Sequence, residues 1–121
     1  MSAVRIGVDL VEIDRIRQAA GHGRFLEHVF SPQERALMER RKDPFPGYAA
    51  NFAAKEAFSK ALGTGVRGFA LAEVSVLRDE RGAPYFVFSG TAKELAAGAS
   101  FSVSLTHTDT LAEAMVIATN E

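Results

Sequence analysis

Apolar residues recur at every second position near the start of the chain. In AVRIGVDLVEI, residues 3–13, Val4, Ile6, Val8 and Leu10 alternate with other residues in a stretch rich in β-branched types. A period of two predicts a strand, and Asp9 is the polar residue that interrupts it. Two short amphipathic pieces follow, DRIRQAAG and RFLEHVF, separated by the Gly21/Gly23 break and read as brief helices. SPQE at 31–34 places a hydroxyl cap, a proline at the first helical position and a glutamate at the third. That capping box predicts a helix from about Pro32 to Arg41.

Pro44 and Pro46 break the chain again, and YAANFAAKEAFSKAL then runs without glycine or proline to Gly63, a suitable C-terminal cap. Ala50, Ala54, Ala57, Phe58 and Ala61 recur at spacings of three and four, which predicts a close-packing helix face. Phe52, Glu56, Ser59 and Lys60 lie on another face. Beyond this helix, GTGVRG reads as a loop, while LAEVSVLR, DERG and APYFVFS read as strand, turn and strand. TAKELAAG predicts one or two helical turns. SFSVSLTH and AEAMVIAT supply two more alternating strands around a TDTL turn. The pattern as a whole predicts an α+β fold, an antiparallel β-sheet packed against a long central helix and shorter helices.

Composition narrows the function. The chain has 121 residues, which suits one domain spanning 1–121, and a net charge of -1 provides no field to recruit nucleic acid or an anionic membrane. It contains no cysteine, so disulfides, thiolate metal sites and cysteine nucleophiles are excluded. Arg5, Asp9, Glu12 and Asp14 break any apolar run near the N-terminus, so no signal-like segment is seen, and no stretch approaches the roughly 18 apolar residues of a membrane span. A cytoplasmic protein without membrane association is expected.

Asp9 is a candidate for chemistry because a carboxylate in an apolar strand needs a cation or hydrogen-bond donors to offset its burial. A capping aspartate, or one paired with an arginine, satisfies the same requirement. Glu56 and Lys60 sit four residues apart, in the order of an ordinary helix-surface ion pair. The same face, standing just before a glycine-rich loop, also suits phosphate groups. Two carboxylates can hold a hard Mg²⁺ while leaving coordination positions to water and phosphate oxygens. The run Arg40, Arg41, Lys42 reads as a basic helix C-terminus suited to the helix dipole, with no ligand assigned.

Three blocks, GVDLVEIDRI at 7–16, NFAAKEAFSKALGTG at 51–65 and SLTHT at 104–108, together resemble the holo-acyl carrier protein synthases, the small phosphopantetheinyl transferases. The SPQE helix and the VSVLRDERGAPYFVFSG hairpin are also similar, so the likeness extends over nearly the whole chain. It implies the 4'-phosphopantetheinyl transferase fold and transfer of 4'-phosphopantetheine from coenzyme A to a serine of an apo-acyl carrier protein. Adenosine 3',5'-bisphosphate is released, and the product serves fatty acid biosynthesis. By matching position it implies Asp9 and Glu56 as Mg²⁺ ligands and Lys60 beside the coenzyme A pyrophosphate. Gly63, Thr64, Gly65, His107 and Thr108 are implied as further coenzyme A contacts. Arg15 and Arg24 with Phe25, and Arg17 nearby, are implied as a docking surface for the carrier's acidic helix. A homotrimer with sites between subunits is implied as well. Two positions depart from the family: Asn51, where arginine is frequent, and Thr106, where serine is. The first puts a phosphate or carrier contact in question; the second keeps a hydroxyl.

Overall fold

The structure is a computed structural model describing residues 3–63 and 68–120. Strand β1 (Val4–Glu12) leads into helices α1 (Ile13–Ala20), α2 (Phe25–Val29), α3 (Pro32–Met38) and the long α4 (Phe45–Leu62). A 3-10 turn (Leu71–Glu73) precedes the hairpin β2 (Val74–Arg78) and β3 (Pro84–Phe88), and α5 (Gly90–Ala96) then leads to β4 (Ala99–His107) and β5 (Leu111–Asn120). The strands form two antiparallel sheets, one in the order β1-β5-β4 and one of β2 with β3. The expected α+β arrangement around a long helix is therefore what forms.

Alternation in β1 and β5 assigns each residue a side. Gly7 and Val11 are buried under α4, as are Ala112, Ala114, Val116 and Ala118 of β5. The facing surface of α4 is built from Ala49, Ala50, Ala53, Ala54, Ala57 and Ala61, all buried, so helix and sheet approach closely. The approach is tightest at Gly7, where an added Cβ would land on the backbone carbonyl of Ala57. A second cluster forms around Phe58, whose ring lies 4.9 Å from Phe88 and 5.1 Å from Phe101. It joins α4 to the hairpin and to β4. On the opposite face of the larger sheet, Val4, Ile6, Val8, Leu10, Met115 and Ile117 are exposed.

Three boundaries differ from the sequence pattern. Helix α3 stops at Met38 rather than Arg41, because the Arg41 N–H closes a tight turn on the Met38 carbonyl (3.0 Å) as the chain bends toward the next helix. The prolines start α4 instead of breaking the chain before it. Pro46 falls in the first turn, where its missing N–H removes no helical bond, and the Tyr48 N–H already reaches the Pro44 carbonyl at 3.0 Å. Finally, Leu71–Glu73 turns before the strand begins, since the Glu73 carboxylate accepts the N–H groups of Ala70 and Thr91 and folds the segment back on itself.

The capping box is present as expected: Ser31 Oγ accepts the Glu34 N–H and Glu34 Oε1 accepts the Ser31 N–H. Glu34 does more than cap. Its side chain and that of Lys55 are fully buried and form an ion pair at 2.6 Å. Lys55 Nζ also donates to the carbonyls of Leu71 (2.9 Å) and Val74, so all three ammonium hydrogens have acceptors. Glu34 Oε2 accepts from the Val76 N–H and from Asn51 Nδ2. This network ties α3, α4 and β2 together.

Candidate active site

The period of two that buries Gly7 and Val11 brings Asp9, which lies between them, to the same side of β1, at the edge of α4. Its partner across the sheet is the small, buried Ala114. Glu56 and Lys60 project from the C-terminal half of α4 toward this edge. Lys60 Nζ donates to the Val8 carbonyl at 2.8 Å and to Asp9 Oδ1 at 3.3 Å. The helix-surface reading of Glu56 and Lys60 is thus corrected: among the described residues Lys60 forms its ion pair with Asp9, because the β1 edge lies within reach of its long stem.

The Glu56 carboxyl is pushed above its ordinary range, first by burial and then by the negative charge of Asp9, while Lys60 and Arg15 act in the opposite direction. Asp9, Glu56, Lys60 and Arg15 therefore form one electrostatic neighbourhood. Ser59, which shares the helix face, is committed elsewhere: its hydroxyl donates to the Glu56 carbonyl at 2.6 Å. No cluster of three or more metal-ligating side chains occurs among the described residues. Two carboxylates alone match the way Mg²⁺ is held, with one or two protein oxygens and the remaining positions left to water and phosphate. The raised Glu56 carboxyl marks a place where a cation would relieve repulsion between the two acids.

His107 lies outside that cluster. It lines a cavity of about 190 Å³ with Arg41, Pro46, Gly47, Ala50, Arg78 and Leu105, beside the N-terminal half of α4. Arg78 is held there by Asn51 Oδ1, which accepts from Nη2 at 2.8 Å. Burial lowers the Arg78 pKa to about 10, and the nearby Arg41 charge adds to the effect. The run at 40–42 accordingly does not end a helix; one of its members joins a cationic cavity. Asn51 is fully buried between Glu34, Val76 and Arg78, so its side chain serves the core network and holds an arginine in place.

The remaining residues divide. Gly63 adopts a left-handed conformation (φ 80°) and its N–H bonds to the Lys60 carbonyl, capping α4. Thr64 and Gly65 lie outside the described residues. Thr108 Oγ1 accepts the N–H groups of Thr110 and Leu111, which fixes the turn between β4 and β5. Arg24 is paired with Glu27 at 2.6 Å, and Arg17 with Asp43 at 3.3 Å. Phe25 is half-buried, with its ring 6.3 Å from Phe30 and 6.4 Å from Phe52. Arg15 is exposed at the edge of the carboxylate cluster.

Sequence reasoning missed Lys55, Arg41 and Arg78. For Lys55 a signal was available: Asn51, Lys55 and Ser59 repeat every four residues on an alanine-rich helix and all three are buried. A polar stripe of that kind inside an apolar helix requires an internal partner.

A fold of this kind occurs in known proteins. Residues 5–112 match the 4'-phosphopantetheinyl transferase superfamily, and the chain belongs to it. It is 45% identical over 109 residues to a holo-[acyl-carrier-protein] synthase of Ruminiclostridium cellulolyticum, covering 84% of this chain and 81% of that one. To the protein of the same name from Treponema denticola it is 40% identical over 116 residues, covering 93% and 94%. Among solved structures it resembles a holo-(acyl-carrier-protein) synthase from Bacillus anthracis in complex with coenzyme A (3',5'-ADP). The TM-score is 0.86 at 29% identity, over 100% of both chains. The Neisseria meningitidis holo-[acyl-carrier-protein] synthase gives a TM-score of 0.85 at 32% identity, over 94% of this chain and 96% of that one. The chain is thus an enzyme of the transferase class, with the fold its sequence pattern predicts.

Proposed function

We propose that this chain transfers the 4'-phosphopantetheine group of coenzyme A to a serine of an apo-acyl carrier protein in a Mg²⁺-dependent reaction. The observation that carries the reading is the convergence of Asp9, Glu56 and Lys60 at one edge of α4, in a chain whose relatives are named for this reaction. The serine oxygen forms a bond to the pantetheine-side phosphorus. The bond from that phosphorus to the bridging oxygen breaks, the serine proton is lost, and adenosine 3',5'-bisphosphate leaves.

Asp9 and Glu56 would hold the divalent ion, which when bound offsets negative charge on the diphosphate. Lys60 supplies a positive charge beside the same carboxylates and orients a phosphate oxygen. The cavity of Arg41, Arg78 and His107 takes another phosphate of coenzyme A, a role supported by three cationic or protonatable side chains around one opening. Arg15, next to the carboxylates, and Arg24 with Phe25 on α2 face the acidic carrier, with complementary charge setting orientation and encounter rate.

A homotrimer with sites between subunits is the assembly this reading favours. It is supported by the exposed apolar row on the sheet and by the position of His107 away from the carboxylates. No helix among the described residues is long and apolar enough to cross a membrane. The cysteine-free chain suits a reducing cytoplasm, where the product would enter fatty acid biosynthesis. Incubation with coenzyme A, Mg²⁺ and an apo-acyl carrier protein, followed by mass spectrometry of the carrier, tests the proposal. A pantetheine-phosphate gain on one serine is expected. Coenzyme A binding with no mass gain across several carriers would overturn it.

A further inference from the structure

Lys60 lies against the carboxylate assigned above to the metal ion. Its ammonium is 3.3 Å from Asp9 Oδ1, and its second bond, 2.8 Å to the Val8 carbonyl, belongs to the same strand edge. Asp9 is the more enclosed partner, with 18% of its side chain exposed against 54% for Lys60. The member with room to move is therefore the lysine. An ammonium and a divalent cation cannot both hold one carboxylate oxygen at bonding distance without strong mutual repulsion. Glu56, one helical turn away, makes no ion pair among the described residues and cannot take the lysine without losing its own place as a ligand.

We infer that Lys60 is the resident counter-ion of Asp9 and must leave the carboxylate when the divalent cation enters, so that metal and a diphosphate-bearing ligand are taken up together. The inference rests on the assignment of Asp9 and Glu56 as the metal pair. A diphosphate makes the exchange favourable because it offers the displaced ammonium an anion of higher charge density than a carboxylate. Metal arriving alone has to compete with Lys60; metal arriving with a diphosphate does not. Because coupling between two ligands is reciprocal, each tightens binding of the other by the same factor. The exposed stem of Lys60 allows the head group to swing between Asp9 and a phosphate without rearranging α4.

Binding of Mn²⁺ to the full chain, followed by electron paramagnetic resonance of the free ion, tests this without turnover. In the wild type, coenzyme A should tighten Mn²⁺ binding about tenfold, within the usual range of couplings between sites. In Lys60→Met, Mn²⁺ alone should bind about tenfold more tightly than to the wild type, and the added effect of coenzyme A should shrink toward none. Lys60→Arg, which keeps the charge, should retain weak binding of the metal alone. Equal Mn²⁺ affinity in wild type and Lys60→Met would overturn the counter-ion role. Asp9→Asn separates that failure from failure of the metal pair: it should abolish Mn²⁺ binding, with or without coenzyme A. Undiminished binding in Asp9→Asn would remove the pair itself. Lys60 is exposed, so thermal melts should show a cooperatively folded protein for each variant.

Discussion

Lys55 and Glu56 are neighbours in the chain and opposites in the structure. Lys55 turns inward, where Glu34 and two backbone carbonyls take every ammonium hydrogen. Glu56 turns to the β1 edge, where it meets another carboxylate whose ion pair is with the exposed Lys60. On the inner side of α4 every ammonium hydrogen has its acceptor; on the outer side Glu56 has no ion pair among the described residues. The first condition makes a fixed joint and the second suits the binding site proposed above. A buried charge with all its partners has nothing left to offer a ligand, whereas a carboxylate raised by burial and by a neighbouring acid still favours an incoming ion.

Breaking the saturated side should have the largest effect on the fold. Lys55→Met leaves Glu34 buried with an uncompensated charge, and should cost about 3–5 kcal/mol in chemical denaturation. Breaking the outer side should leave the fold alone and remove the reaction. Asp9→Asn should lower transfer to an apo-acyl carrier protein by at least about a hundredfold, since ion-based stabilisation of a phosphoryl reaction amounts to several kcal/mol. Its denaturation midpoint should stay near that of the wild type.

The two sides can also be perturbed together. Gly7→Ala drives a methyl group into the Ala57 carbonyl, a backbone atom that cannot yield. It should cost about 1–3 kcal/mol and reduce transfer as well, because α4 carries both sets of residues away from β1. The smallest effect sharpens the contrast. The raised Glu56 carboxyl means that its ionised form carries a penalty in the metal-free fold. That penalty is absent below the usual carboxylate range and grows as pH rises through the raised value. Without divalent ions, Glu56→Gln should therefore be slightly more stable than the wild type at pH 8, by less than about 0.5 kcal/mol, and no more stable at pH 4. Added Mg²⁺ should reverse the order at pH 8 by stabilising the wild type alone.

Much of this was legible in the sequence, though unevenly. The elements were, since alternation in β1 and β5, the capping box at Ser31 and the alanine face of α4 are local patterns set by neighbouring residues. Asp9, Glu56 and Lys60 were named because three motif blocks resemble one family. Their spacing alone was consistent with an ordinary helix-surface pair, and that Lys60 bonds Asp9 depends on how strand and helix pack. The Glu34–Lys55 pair and the Arg78–Asn51 bond join residues 21 and 27 positions apart. No periodicity reports such a contact, because it exists only after α3, α4 and β2 have closed on one another. The prolines at 44 and 46 misled for a related reason: the residue that stops one helix is equally suited to start the next.

Strand β1 has a second face. While Asp9 looks toward α4, Val4, Ile6, Val8 and Leu10 look away from it, uncovered in the single chain. In the assembly proposed above, whatever seats against that row would brace the backbone that carries Asp9, so that assembly and turnover would share one strand. An enzyme built this way would be tuned by its own abundance, and diluting it below its assembly concentration would dim each copy rather than merely thin their number.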